Sequence, residues 1–297
     1  TRALQPRAAI IMATVFNFIG AFAGTAVAKT VGGGLVDEHT STSGVIAAAL
    51  VGAIAWNLIT WYFGLPSSSS HALIGGLFGA TLVAAGTGAF KIDGIIAKVL
   101  IPMISSPLIG FVLALFLVVA LFWIFRRAPR RPMTTAFRRL QLVSAGFMAF
   151  SHGSNDAQKT MGIITLALFS GGVIATVDVP WWVIVLAATA ISLGTAVGGW
   201  RIMHTMGHRV AKLEPVHGFA AETTAATVLL TTAHFGMPVS TTHVISAAIM
   251  GVGTSRGVHG VRWGVARSIL LAWVITIPAA GTVAALVWLA LSFIGLG

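Results

Sequence analysis

Apolar residues dominate nine stretches of this chain, several of them short or interrupted, at residues 8–28, 44–63, 72–90, 99–125, 161–177, 181–203, 219–235, 244–252 and 265–294. A helix needs about 20 apolar residues to cross the hydrocarbon core of a bilayer, so stretches of this kind over 297 residues predict about seven to nine spans. The stretch at 244–252 is too short to cross at about 1.5 Å per residue and predicts a broken or re-entrant element. Pro102 and Pro107 fall inside the fourth stretch, where each removes an intrahelical hydrogen bond and predicts a kink or a division.

Composition agrees, since charged residues are 8% of the chain and apolar ones 57%. A soluble domain carries roughly 25% charged residues. The net charge of +11 does not point to nucleic acid, because six of the eighteen basic residues sit between Arg126 and Arg139 in one segment, RRAPRRPMTTAFRR, with no interleaved aromatic face. Beside apolar spans such a segment reads as a cytoplasmic loop. Counting from it places Asp37, Glu38 and Asp178 outside, and Arg201, Arg209, Lys212, Arg256, Arg262 and Arg267 inside. The chain has no cysteine, which excludes disulfides, thiolate metal sites and cysteine nucleophiles. Trp181, Trp182 and Trp263 flank spans as interface anchors.

The chain also repeats itself. GLPSSSSHALIGGLFG at residues 64–79 matches GMPVSTTHVISAAIMG at residues 236–251 in one register, His243 minus His71 giving 172. GTAV at residues 24–27 recurs at 194–197, an offset of 170. The loop after the first GTAV carries acids and the loop after the second carries bases, so the copies face opposite sides of the membrane. Inverted repeats with Gly/Pro-interrupted segments in matching places are the pattern of secondary transporters, whose sites lie near the midplane where the repeats meet. The expected fold is an all-α, multi-pass transmembrane bundle with two inverted repeats and broken or re-entrant helices. Its expected divisions are a first repeat over residues 1–125, a basic cytoplasmic linker over 126–139 and a second repeat over 140–297.

In each copy a proline ends one helix and hydroxyl residues precede the next: Ser68, Ser69 and Ser70 before His71, and Ser240, Thr241 and Thr242 before His243. Such side chains cap free amides, and the amides with the helix dipole favour an anion. Two helix starts meeting from opposite sides present many donors to a tetrahedral oxyanion. The plainer reading is that the hydroxyls only satisfy helix ends within lipid. His71 and His243 either hold the broken backbone or carry protons.

A third polar element, SHGSNDAQK at residues 151–159, interrupts the apolar pattern. Asp156 and Lys159 stand three apart and share a helix face, where they neutralise one another. Alternatively Asn155 and Asp156 supply oxygens to Na⁺, or Asp156 accepts a proton, as ionisable groups within spans commonly do. Glu222, inside the stretch at 219–235, is either a coupling carboxylate or a paired one near the interface.

Taken together, FSHGSNDAQKTMG, GLPSSSSH and GMPVSTTH resemble the signatures of the inorganic phosphate transporter (Pit) family of cation-coupled symporters, and the resemblance covers essentially the whole chain. It implies phosphate bound between the repeats, by Ser68, Ser69, Ser70, Ser240, Thr241, Thr242 and Asn155. It also implies cation or proton sites at Asp156 and Glu222, with Asn155 beside Asp156 as a metal ligand if sodium is the coupling ion. His71, His243, Gln158 and Lys159 are expected as supporting residues. Three departures accompany it. The repeat register puts a first copy of Asn-Asp before Thr1, so the chain as given is expected to lack the family's first helical segment. Asn17 and Leu50 stand where acids are expected, which leaves fewer carboxylates for a metal and tilts the expectation toward protons. The first signature reads SSSSH, which keeps the hydroxyls.

The reading is therefore a symporter of inorganic phosphate with H⁺ or Na⁺ in the plasma membrane, working by alternating access, without a bound cofactor and compatible with a homodimer. A sulfate or metal-phosphate permease uses the same donors. A passive channel would show no coupling to a gradient. An intramembrane serine hydrolase at Ser69 or Ser70 with His71 or His243 is disfavoured by the duplicated hydroxyls and the absence of a Gly-x-Ser-x-Gly elbow.

Overall fold

The computed structural model describes residue 1 and residues 3–295, the side chain at position 208 excepted. The described residues are helical, with two isolated backbone bridges, Val36 to Phe90 and Ala211 to Val261. The first half holds α1 (Pro6–Gly20), α2 (Ala26–Gly33), α3 (Ser43–Phe63), α4 (Ser69–Ala85), the short α5 (Ile92–Ile95) and α6 (Ile101–Ile124). A long helix follows, α7 (Arg130–Ser170), then α8 (Trp181–Val197), α9 (Trp200–His204), α10 (Pro215–His234), α11 (Thr241–Thr254) and α12 (Trp263–Phe293).

The repeat read from the motifs extends to the hydrogen bonds. α3 is followed by its C-cap Gly64, and α10 by its C-cap Phe235 and then Gly236; the two glycines are 172 residues apart and both left-handed, at φ 63° and 66°. Glycine takes this conformation without steric cost, and it lets the next amide reach back to the helix. Leu65 N accordingly donates to Thr60 O and Met237 N to Thr232 O. Each break then turns directly into α4 or α11, so α3–α4 and α10–α11 are two helical hairpins. The two bridges occupy equivalent places in the halves, Val36–Phe90 in the first and Ala211–Val261 in the second.

Helix α7 shows that the hairpins enter from opposite ends. Near its start Ser144 Oγ donates to Glu222 close to the base of α10, and at its end Ser170 Oγ donates to Ser41 O at the base of α3. Between those ends Lys159 touches both hairpin tips, Ser70 in one and Val239 in the other. Each half also braces the other. α4 lies on α12 so closely that a Cβ on Gly79 would stand 2.0 Å from Gly281 O, and α11 lies on α6 with Gly251 placed 2.3 Å from Phe111 O by the same measure.

Two expectations change. The basic segment at 126–139 is not one loop: from Arg130 onward it is the first turns of α7, whose exposed arginines lie on a helix surface. The polar run at 151–159 breaks the apolar pattern but not the helix, as the shared face of Asp156 and Lys159 implies: α7 is continuous for 41 residues, about 60 Å. Its polar positions are covered by protein, so the hydropathy dip marks an interior rather than a break. Pro102 and Pro107 do not divide the fourth stretch. Pro107 lies inside the continuous α6, and Pro102 stands in its first turn directly after a π-helical turn over Ile96–Leu100, the local irregularity that joins α6 to α5.

By length and composition three described helices suffice to cross a membrane, Ser43–Phe63, Ile92–Ile124 and Trp263–Phe293. A fourth is added if the pair Trp181–Val197 and Trp200–Gly207, bent by 64°, counts as one. That is fewer than the seven to nine stretches suggest. α4 and α11 are short hairpin arms, and α7 and α10 carry polar side chains that face other helices instead of lipid.

Candidate substrate and ion site

The tips of the two hairpins meet. Ser68 and Ser240 are the N-cap residues of α4 and α11, and their hydroxyls accept from His71 N at 3.1 Å and His243 N at 3.2 Å. The imidazole of His71 abuts that of His243 edge to face, centroids 4.5 Å apart, and His243 stacks on Trp273 at 3.9 Å. Both histidines are buried, and His71 Nδ1 and His243 Nε2 have no hydrogen-bond partner. The main-chain N–H groups of both histidines are what the serine caps bind, and among the described residues no hydrogen bond runs from either imidazole to the broken backbone; the rings close the seam between the hairpins.

The polar run of α7 presses against this seam. Lys159 Nζ donates to Ser70 Oγ at 2.5 Å, to Val239 O at 2.6 Å and to Asp156 Oδ1 at 2.6 Å. The other oxygen of Asp156 accepts from Thr241 Oγ1 at 3.1 Å and faces His152 Nε2 at 3.1 Å. The i, i+3 pairing expected of Asp156 and Lys159 is therefore made, and it is tied to both hairpins at once. Asn155 beside it is wholly buried, at 0% exposure, and neither its Nδ2 nor its Oδ1 has a partner. A buried amide left unpaired costs on the order of 1–3 kcal/mol, which sets Asn155 apart from the paired Asp156 and Lys159 beside it.

Hydroxyls differ across the two signatures. Ser70, Thr241 and the two caps are buried, Thr242 is half-buried, and Ser69 is exposed. Ser69 lines a cavity of about 1080 Å³ together with Asn57, His152, Asp156, Thr160 and Thr195, which connects the Asp156 cluster to the outside of the bundle.

Two expected site residues lie elsewhere. Glu222 accepts from Ser144 Oγ at 2.6 Å and Gln141 Nε2 at 3.2 Å. Ser144 and Gln141 precede Asp156 by 12 and 15 residues on one helix, so Glu222 stands about 20 Å from the cluster. Gln158 caps α2, its Oε1 accepting from Val27 N at 2.9 Å where Thr25 offers no side-chain cap.

Other contributors carry no signature. Asn17 on α1 pairs through Oδ1 with His152 Nδ1 at 3.0 Å and donates through Nδ2 to Thr195 Oγ1 at 2.9 Å, extending the cluster to α8. Its signal was its place in the resemblance, where it stands for an expected acid. His152 was findable as the residue four before Asp156, one helical turn away. Trp273 gave none, because its stacking on His243 depends on how α12 packs in the folded bundle.

The model of the phosphate transporter family matches residues 1–135 and 126–284 of this chain. The chain is 51% identical to a probable low-affinity inorganic phosphate transporter of Rhizobium meliloti, over 98% of this chain and 87% of that one. It is 47% identical to the protein of the same description from Bacillus subtilis, over 99% and 89%. Among solved structures it resembles one titled the sodium-dependent phosphate transporter, with a TM-score of 0.87 and 25% identity over 99% of this chain and 92% of that one.

Proposed function

Since the chain belongs to the phosphate transporter family, a family of membrane transporters and not of enzymes, we propose that it carries inorganic phosphate across the membrane with a coupling cation by alternating access. The observation that carries the reading is the meeting of two capped helix starts, at Ser68 and Ser240, beside an unpaired buried Asn155. The caps use the Ser68 and Ser240 hydroxyls themselves and leave the first-turn amides of α4 and α11 for the anion. In this reading phosphate is held by those amides, by Asn155 and by the hydroxyls of Ser69, Ser70, Thr241 and Thr242. Such neutral donors bind a tetrahedral oxyanion and still release it, which a fixed surplus of positive charge would oppose.

Asp156 is the acid placed to sense the coupling ion, since it lies on the seam that phosphate occupies. Glu222, about one bilayer leaflet away along α7, serves as a second carboxylate on the basic side. The solved relative is titled for sodium and the chain has few carboxylates, so Na⁺ and H⁺ are both tested; with Asp156 Oδ1 held by Lys159, the carboxylate acts in this reading as a proton acceptor, and a coupled Na⁺ is taken elsewhere. All the residues of the site come from one chain, so the reading stands without the homodimer. The division into repeats at residues 1–125 and 140–297 fits the two hairpins and their mutual bracing.

The test is radiolabelled phosphate uptake into proteoliposomes under an imposed Na⁺ or H⁺ gradient, with unlabelled sulfate as competitor. Asp156→Asn is expected to uncouple uptake from the gradient and lower it at least about tenfold, a loss of roughly 1.4 kcal/mol or more. Gradient-driven uptake unchanged in Asp156→Asn removes Asp156 from coupling. Competition by sulfate as strong as by phosphate would turn the reading to a general oxyanion permease.

A further inference from the structure

The oxygens around Lys159 Nζ come from three elements and from both hairpins. Ser70 Oγ at 2.5 Å belongs to the first, Val239 O at 2.6 Å to the second, and Asp156 Oδ1 at 2.6 Å to α7. An ammonium has three N–H donors and no acceptor, so three oxygens saturate it. The set is also what a hard cation takes: a carboxylate, a hydroxyl and a carbonyl freed where a helix is broken. The group is buried, Lys159 being 3% exposed, and no second carboxylate faces Nζ among the described residues. We infer that the Lys159 ammonium is a built-in cation, occupying a position between the two hairpin tips that an alkali ion fills once the ammonium is removed.

Lys159 is then the residue that sets cation specificity at this position. Asp156 Oδ1 is committed to Lys159, while Oδ2 is held by Thr241 and faces His152. A neutral, shorter side chain at position 159 leaves one full negative charge, a hydroxyl and a carbonyl around a space the size of the lost ammonium. Sodium supplies the missing charge. Potassium, which is larger, and choline do so less well.

The inference rests on the transport reading for its uptake arm only. The purified full chain, with Lys159→Ala or Lys159→Gln, is heated in detergent with NaCl or choline chloride at equal ionic strength. Both variants are expected to show a saturable Na⁺-dependent rise in unfolding temperature that exceeds any shown by wild type and disappears when Asp156→Asn is added, because a ion bound only by the folded state stabilises it. In proteoliposomes at fixed pH, their phosphate uptake is expected to rise at least about fivefold more between Na⁺-free and Na⁺-saturated conditions than that of wild type. Folded neutral variants whose unfolding responds to Na⁺ no more than wild type overturn the inference. Should neither variant fold, wild type decides: a Na⁺-dependent stabilisation of wild type that Asp156→Asn abolishes overturns it, and the lack of one supports it. If wild type takes up no phosphate, the transport reading fails while the unfolding arm still answers the cation question.

Discussion

Asn155 and its neighbours on α7 show how one helical turn holds opposite kinds of polar residue. Asp156 and Lys159 satisfy each other and two hairpins, whereas Asn155, at 0% exposure, has no partner for either amide atom. A side chain kept for packing alone would not be an amide, since an unpaired buried polar group is a net cost. Asn155→Leu, which keeps the same heavy-atom branching without polar atoms, is expected to raise phosphate-free stability by about 0.5–2 kcal/mol while phosphate uptake collapses. Thermal unfolding and uptake measured on one preparation check both halves; a variant that loses stability and keeps transport would make Asn155 a packing residue. At this scale the sequence singled out Asn155, Asp156 and Lys159 because a polar run inside an apolar stretch is conspicuous. It could not assign partners, because Ser70 and Val239 are 89 and 80 residues from Lys159 and only the fold joins them.

Helices and their ends were legible where the cause is local. The Gly-x-Pro breaks were, because a left-handed glycine and a proline act within a few residues, and α3 and α10 stop just before those glycines. The continuity of α7 was not, because hydropathy measures fitness for lipid and α7 passes its polar run through protein. Exposed segments follow ordinary electrostatics. Lys91 Nζ ties the turn after α2 by donating to Gly33 O at 2.7 Å and Glu38 Oε2 at 2.6 Å. The hydrogen bond from Lys91 holds the Glu38 carboxyl below its ordinary value. A carboxyl so lowered stabilises the folded turn fully above its unfolded value, and the contribution disappears as pH falls through the lowered one. Amide protection over residues 33–42, measured against the intrinsic exchange rate at each pH, is therefore expected to be constant near neutrality and to fall on acidification through the carboxylate range, and to be low throughout in Glu38→Gln. Screening by salt keeps the effect small. Protection that persists in acid would detach the turn from this ion pair.

Over the whole molecule, the motif register of 172 becomes reciprocal bracing, which no single stretch of sequence displays. Thr30 Oγ1 of the first half donates to Gly236 O of the second at 2.7 Å, and Thr205 Oγ1 of the second to Gly64 O of the first at 3.0 Å. The hairpin helices are exchanged in the same way, α4 against α12 and α11 against α6, at Gly79 and Gly251. At both glycines an added Cβ meets backbone, which cannot rotate aside, so the paired helices would have to separate and draw a hairpin tip off Lys159. Gly79→Ala and Gly251→Ala are each expected to cost about 1–3 kcal/mol by overpacking and to depress uptake by comparable factors. Gly88→Ala, where a Cβ meets nothing within 4 Å, is expected to be neutral in both. Unfolding midpoints and initial uptake rates for the three variants give the comparison. If only one of the repeat-related pair mattered, the hairpins would contribute unequally to the central site; if neither did, helix contact would not be what holds the two tips together.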